Sequence, residues 1–369
     1  MRLNNKIAVI GSALDAPAKS DAQSLEELLF HLTQAALKDA GLTIDEIDGI
    51  VVASNDQMDG RAIAVMAASG SVGGVGRDIL STPSAAEHAF VMGALRIASG
   101  QFRTQLIVSW SPTEAGSQAE VERIGADPYF HRRLPLDDLA AYALQATAFA
   151  ARAPGVHEMA GSIVARRGAK DQASAGPAFR RWPLTREMTP PAVTGAVALV
   201  LASEDFVAQR GGHVARVRGM SWATETGFLG DRDLSTAPAL ETAARHAYQE
   251  AGIASPRDAI EVAEVSDPTP YQELLALEGL GLSNRSEWAN DLKSGAYDFG
   301  GNPTINPSSG ASAANAVFCN GLIRIAEAAN QVMGRAGDHQ VPDVRTALAH
   351  AASGFAMQYQ TVVVLGQDR

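Results

Sequence analysis

The chain has 369 residues, 46% of them apolar and 19% charged, enough for one large or two fused domains around a substantial core. A formal net charge of −11 argues against nonspecific binding to nucleic acid or an anionic membrane as the main role, and a single cysteine excludes an internal disulfide framework and a cysteine pair for zinc. No run approaches the roughly eighteen uninterrupted apolar residues of a membrane span, and Met1-Arg2-Leu3-Asn4-Asn5-Lys6 leads straight into a strand-like Ile7-Ala8-Val9-Ile10, so a cytoplasmic setting is expected.

In chain order, strand and helix signals alternate, the pattern of an α/β protein. Lys6 to Gly11 predicts a buried strand. Leu25, Leu28, Leu29, Leu32, Ala36 and Leu37 recur at helical spacing, and Gly41 stands where a left-handed glycine would end that helix. Gly49 to Ala53 predicts the next strand, Thr82 to Ser99 a long small-residue helix, Gln105 to Trp110 a strand and Ala196 to Ala202 another. From Ser111 to Pro191 the texture changes to Pro, Gly and clustered arginines, which reads as an inserted loop domain. Its clusters are Tyr129-Phe130-His131-Arg132-Arg133, Arg166-Arg167-Gly168-Ala169-Lys170 and Phe179-Arg180-Arg181-Trp182. An arginine fork suits a phosphate and a neighbouring aromatic suits a flat base; a solvated helix face is the other reading.

The strand and helix order returns after Val214. Ala40-Gly41-Leu42 is echoed by Ala251-Gly252-Ile253, and Gly93-Ala94-Leu95-Arg96-Ile97-Ala98 by Gly321-Leu322-Ile323-Arg324-Ile325-Ala326. Both of the latter runs lie in Ala-rich segments that follow a Pro-Ser pair, Pro83-Ser84 and Pro307-Ser308. Two homologous halves are expected, 1–209 with the insert at 111–191, and 210–369, their small-residue helices buried centrally.

Further motifs are Asp39-Ala40-Gly41-Leu42 followed by Ile47-Asp48-Gly49-Ile50-Val51, the turn Ile305-Asn306-Pro307-Ser308-Ser309-Gly310, and Glu264-Val265-Ser266-Asp267 leading to the run Glu273 to Leu282. On these residues the chain resembles the thiolase superfamily, and within it the lipid-transfer, sterol-carrier-type members that lack catalytic cysteines. The resemblance implies two βαβαβαββ halves in a layered α-β-α-β-α core, a coenzyme A thioester as substrate with no covalently bound cofactor or metal, and a homodimer paired through the strand near Leu106 to Trp110. It also implies a small OB-fold, zinc-ribbon acyl-CoA-binding partner, together forming a heterotetramer.

The family's chemical positions have changed. Its nucleophilic cysteine falls on Pro83, beside Ser84, which with His88 forms an i,i+4 pair able to mimic an activated hydroxyl or, alternatively, to cap a helix. Ser266-Asp267 takes the place of a histidine that helps to form an oxyanion hole, Asn315 that of the activating histidine, and His350 lies near a second cysteine that moves an α-proton. Candidate bases are His350, Tyr297, Tyr359 and Tyr271; Arg132, Arg166, Arg180, Arg181, Trp182, Ser308 and Ser309 are candidates for holding CoA. Cys319 reads as a small buried hydrophobe in a helix. Three functions stay open: retro-aldol cleavage of a 3-hydroxyacyl-CoA, acyl transfer through Ser84 or a partner's cysteine, and a non-catalytic subunit.

Overall fold

The computed structural model describes residues 6–15, 23–112, 117–167, 179–313 and 315–367. The first half opens with strand β1 (Ile7–Asp15) and helix α1 (Leu25–Ala40). Ser24 caps α1: its hydroxyl accepts from the Glu27 N–H while the Glu27 carboxylate accepts from the Ser24 N–H, and Gly41 closes the other end at φ 66°. Strands β2 (Gly49–Ala53) and β3 (Asp78–Thr82), helix α2 (Ala86–Ala98) and strand β4 (Thr104–Ser111) follow. The insert supplies helices α3 (Gln118–Gly125), α4 (Asp138–Arg152) and α5 (Val156–Arg166) and a hairpin of β5 (Phe179–Arg181) and β6 (Leu184–Thr185), before β7 (Gly195–Ser203) closes the half. The second half runs β8 (Ala215–Thr224), α6 (Pro238–Ala251), β9 (Val262–Val265), α7 (Pro270–Gly279), β10 (Thr304–Ile305), α8 (Asn320–Met333), β11 (Thr346–Ser353) and β12 (Tyr359–Gly366).

The strands lie in the order β10-β9-β11-β12-β8-β1-β7-β4-β2-β3, and the halves meet where β1 pairs with β8 through Ala8 and Val9. Alternation along the strands sorts side chains into layers. Ala8, Ile50, Val52, Leu106 and Val108 pack under α1, whereas Ile7, Val9, Val51 and Ile107 turn to the opposite face, against α2 and α8. In the second half Leu348, Val362 and Val364 pack under α6 and α7. The result is the α-β-α-β-α stack, with α2 and α8 as its middle layer. Close approach there needs a residue without a Cβ: one added at Gly321 would lie 2.3 Å from the Glu87 carboxylate and 2.9 Å from Ala351.

Several expectations are corrected. The helix expected from Thr82 starts at Ala86 because Thr82 ends β3 and Pro83 disfavours a helical residue before it. Pro307-Ser308 does not open α8, which begins at Asn320. The insert is helical as well as looped: α4 and α5 bury Phe149, Met159 and Ile163 against Tyr271, Leu274 and Trp288. Strand β4 offers no dimer edge, since β7 and β2 pair with its two sides; the open edge of this half is β3. Among the described residues no helix is long and apolar enough to cross a membrane.

Candidate functional site

The turn from β3 into α2 aims side chains into a cavity of about 540 Å³ between the two halves and the insert. Ser84 Oγ lies 2.8 Å from His88 Nδ1 and 2.9 Å from Thr82 Oγ1, so it pairs with an imidazole and does not cap α2, whose N-cap is Ala85. The ring edge of Tyr359 meets His88 at 5.6 Å and 88° and fixes its tilt. Ser84, Ser266, Asp267, Asn315 and Arg180, five residues expected at a site, line this one cavity.

Each is held from behind. Ser266 Oγ accepts from the Ala352 N–H at 2.9 Å, which leaves its own hydrogen to donate. Asn315 donates one amide hydrogen to the Pro190 carbonyl at 2.9 Å and accepts from Asn320 at 2.8 Å, keeping a second donor. Asp267 Oδ1 accepts from the Ala311 N–H at 2.9 Å, and Oδ2 lies 2.7 Å from Arg167. Burial raises the Asp267 carboxyl above its usual range, with Arg167 and Arg324 opposing. Arg167 also binds Glu273, as does Arg166. Burial works against that carboxylate, but the two arginines hold it below its ordinary range.

The Asn-Pro-Ser turn anchors the frame. Asn306, at φ 48°, accepts from the Val265 N–H at 2.7 Å, and Ser308 Oγ donates to Glu264 at 2.8 Å. Arg324 donates to the same carboxylate at 2.6 Å; burial pushes Glu264 up to about 7 despite it. Ser308 therefore serves this buried cluster. Ser309 and Arg166 border a second cavity of about 400 Å³, and Arg132 is tied to the carbonyls of Ile124 and Ala126. Of the candidate CoA residues, Arg180, Arg181 and Trp182 remain at the rim, on the β5–β6 hairpin, with Trp182 65% exposed and set against Phe179 at 4.7 Å. Gly168, Ala169 and Lys170 lie outside the described residues.

Three candidate bases sit elsewhere. His350 is on β11, fully buried, its Nε2 2.8 Å from Gln360, and burial lowers it to about 4; an imidazole so enclosed cannot reach a substrate in the cavity. Tyr297 donates to Asp291 at 2.6 Å and burial raises it beyond use as a base, while Tyr271 meets His157 at 2.7 Å and burial pushes it up to about 12. Because the unfolded chain exposes an ordinary histidine, His350 contributes stability present above about pH 6.5 and lost as pH falls through its folded value near 4. Replacing it, as in His350→Gln, is expected to flatten urea-derived stability between pH 7 and 4 by on the order of 3 kcal/mol relative to the native chain.

The cavity also holds groups not anticipated from sequence. Glu122, Asp138 and Tyr142 form one wall; burial raises all three, and the carboxyls of Glu122 and Asp137 push Asp138 further. Ser353 also lines the cavity and donates at 2.7 Å to Glu87, itself 1% exposed. Glu87 is the one acid within the small-residue helix, a signal that could have marked it. Cys319 ends a short turn before α8, completely buried; its Sγ lies 3.6 Å from the Gly195 carbonyl, and burial pushes the thiol up to about 12. Cys319→Ser should leave ligand binding and turnover almost unchanged, and iodoacetamide inactivation that substrate prevents would contradict this.

Residues 223–367 match the thiolase C-terminal domain-like family. By backbone geometry, the chain superposes on the Ltp2-ChsH2(DUF35) aldolase with a TM-score of 0.78 at 20% identity, covering 99% of this chain and 98% of that one. The fold is thiolase-like. A monomeric SCP2-thiolase like protein type 1 from Mycobacterium smegmatis gives a TM-score of 0.67 at 19% identity, covering 98% of this chain and 78% of that one. Sterol carrier protein 2 of Oryctolagus cuniculus is 33% identical over 167 residues, 43% of this chain and 30% of that protein. Acetyl-CoA acetyltransferase of Methanothermobacter thermautotrophicus is 30% identical over 166 residues, 44% of the chain and 43% of that enzyme. The matched segment thus spans less than half the length of these curated relatives.

Proposed function

We propose that this chain cleaves a carbon–carbon bond of a 3-hydroxyacyl-CoA by a retro-aldol reaction. The observation that carries the reading is that Ser84, hydrogen-bonded to His88, lines one cavity together with the donors Ser266 and Asn315, a lining that includes no cysteine. His88, through Ser84, takes the β-hydroxyl proton; the Cα–Cβ bond breaks, its electron pair forming the thioester enolate, and Ser266 and Asn315 donate to the enolate oxygen. No acyl group is transferred to the protein. The aldolase name of the Ltp2 neighbour supports this chemistry.

Arg180 and Arg181 meet the CoA phosphates and Trp182 the adenine, so affinity falls with rising salt and on Arg180→Ala or Arg181→Ala. The named pairing of that neighbour with ChsH2(DUF35) supports a small OB-fold, zinc-ribbon acyl-CoA-binding partner in a heterotetramer. A homodimer would form along β3, beside which Met66, Val75 and Leu80 are exposed. Leu80→Lys should then yield monomers in sizing with light scattering, and an unchanged mass would reject that interface.

The deciding experiment incubates the protein, alone and co-expressed with such a partner, with 3-hydroxyacyl-CoAs of graded acyl size, following carbonyl and acyl-CoA products. Cleavage supports the lyase reading. The Ser84–His88 hydrogen bond favours one alternative, acyl transfer on Ser84, which mass spectrometry would show as an adduct on that residue. Binding of acyl-CoA without any turnover in the partner's presence would instead establish a non-catalytic subunit.

A further inference from the structure

A retro-aldol step leaves an enolate whose α-carbon needs a proton, and the Ser84–His88 pair has by then removed one from the β-hydroxyl. A second hydroxyl–base pair opens onto the same cavity. Ser353 lines it and donates to Glu87 at 2.7 Å. Glu87 precedes His88 in the first turn of α2, shut away from solvent, with its second carboxylate oxygen pressed toward Gly321 of α8. The two pairs are mechanically joined. Tyr359, whose ring abuts His88, pairs across β11–β12 with Ser353 and packs on the adjacent Gly354.

Resting on the retro-aldol reading, we infer that Ser353 is the group that moves the α-proton of the acyl-CoA product and that Glu87 holds the displaced proton. In the exchange direction the α-carbon's hydrogen passes to Ser353 Oγ as the serine's own hydrogen passes to Glu87. The C–H electron pair becomes the enolate, and Ser353 and the carboxylic acid of Glu87 remain. Cleavage starts from Glu87 as the carboxylic acid and runs the same transfer backwards: its proton passes to Ser353 Oγ as the serine's hydrogen passes to the α-carbon, leaving a carboxylate that is recharged by the proton His88 took from the β-hydroxyl. No oxidant, metal or second substrate enters the balance. A carboxylate suits the task because a Ser–carboxylate hydrogen bond already points along the transfer, whereas the enclosed His350 has no path to the cavity.

The test follows deuterium entering butyryl-CoA in D₂O by mass spectrometry, which needs no carbon–carbon cleavage. The native chain should exchange well above buffer. Glu87→Gln keeps the size and the acceptor for Ser353 but cannot take the proton, and Ser353→Ala removes the relay; each should slow exchange by about 10²-fold or more, with calorimetric butyryl-CoA affinity within about twofold. Because Glu87 is buried, thermal unfolding of both variants establishes that they are folded, and the exposed-side Ser353→Ala carries the test if Glu87→Gln is not. Exchange at the native rate in either folded variant overturns the inference, as does a native chain that binds and cleaves its substrate yet never exchanges. Exchange lost in the variants while no 3-hydroxyacyl-CoA is cleaved would retain this pair and remove the retro-aldol reading. Absence of both binding and exchange would remove both.

Discussion

Ser84→Ala and His88→Ala are each expected to lower turnover of a cleaved 3-hydroxyacyl-CoA by about 10²- to 10⁴-fold, the usual share of a general base. The two side chains form one relay at 2.8 Å, so the double variant should lose little more than either single one. Affinity should barely change, since the rim arginines and Trp182 do not touch this pair. His350→Ala, by contrast, acts on a core histidine and should change stability more than the chemical step. Single-turnover rates with calorimetric affinities separate these outcomes. Loss of affinity equal to the loss of rate in Ser84→Ala would assign that residue to binding, and an acyl adduct on native Ser84 would replace the retro-aldol step with covalent transfer.

Glu273→Gln is expected to cost about 3–5 kcal/mol of unfolding free energy in urea at neutral pH, because it leaves the largely buried Arg166 without a carboxylate and Arg167 with Asp267 alone. Its folded carboxyl is held low, so its contribution is present above the ordinary glutamate value of about 4.3 and lost as pH falls through the folded value. The gap between the native chain and the variant should therefore close in acid. Turnover should fall as well, since Arg167 also steadies Asp267 in the cavity wall. An unchanged urea midpoint at pH 7 would mean that water reaches these arginines and replaces the carboxylate.

Much of this architecture was legible because it repeats locally. The Leu25-to-Leu37 spacing, the Ser24 and Gly41 caps and the alternating strands each depend on neighbours in sequence, and the Asp39-to-Val51 and Asn306 motifs carried the thiolase resemblance that residues 223–367 and the superposed backbones bear out. Composition could not show that α4 and α5 order the insert, since their apolar faces gain meaning only against Tyr271, Leu274 and Trp288 from the other half.

Ser84, Ser266, Asp267 and Asn315, expected from motif position, line one cavity, because a turn or strand end fixes where a side chain points. His350 was misplaced for the complementary reason: a strand's two faces differ by a single residue, and which face meets the cavity depends on the packed layers. Arg166 and Ser308 read as ligand contacts while their buried acids, Glu273 and Glu264, lay far off in sequence. Sequence alone determined the fold class, a property of residue type and local order. The Ser84–His88 contact, predicted by helical spacing, needed the fold only to give it a cavity, whereas Ser353 and Glu87, 266 positions apart, meet only because α8 packs against both β11 and α2, and no local signal encodes such a distance.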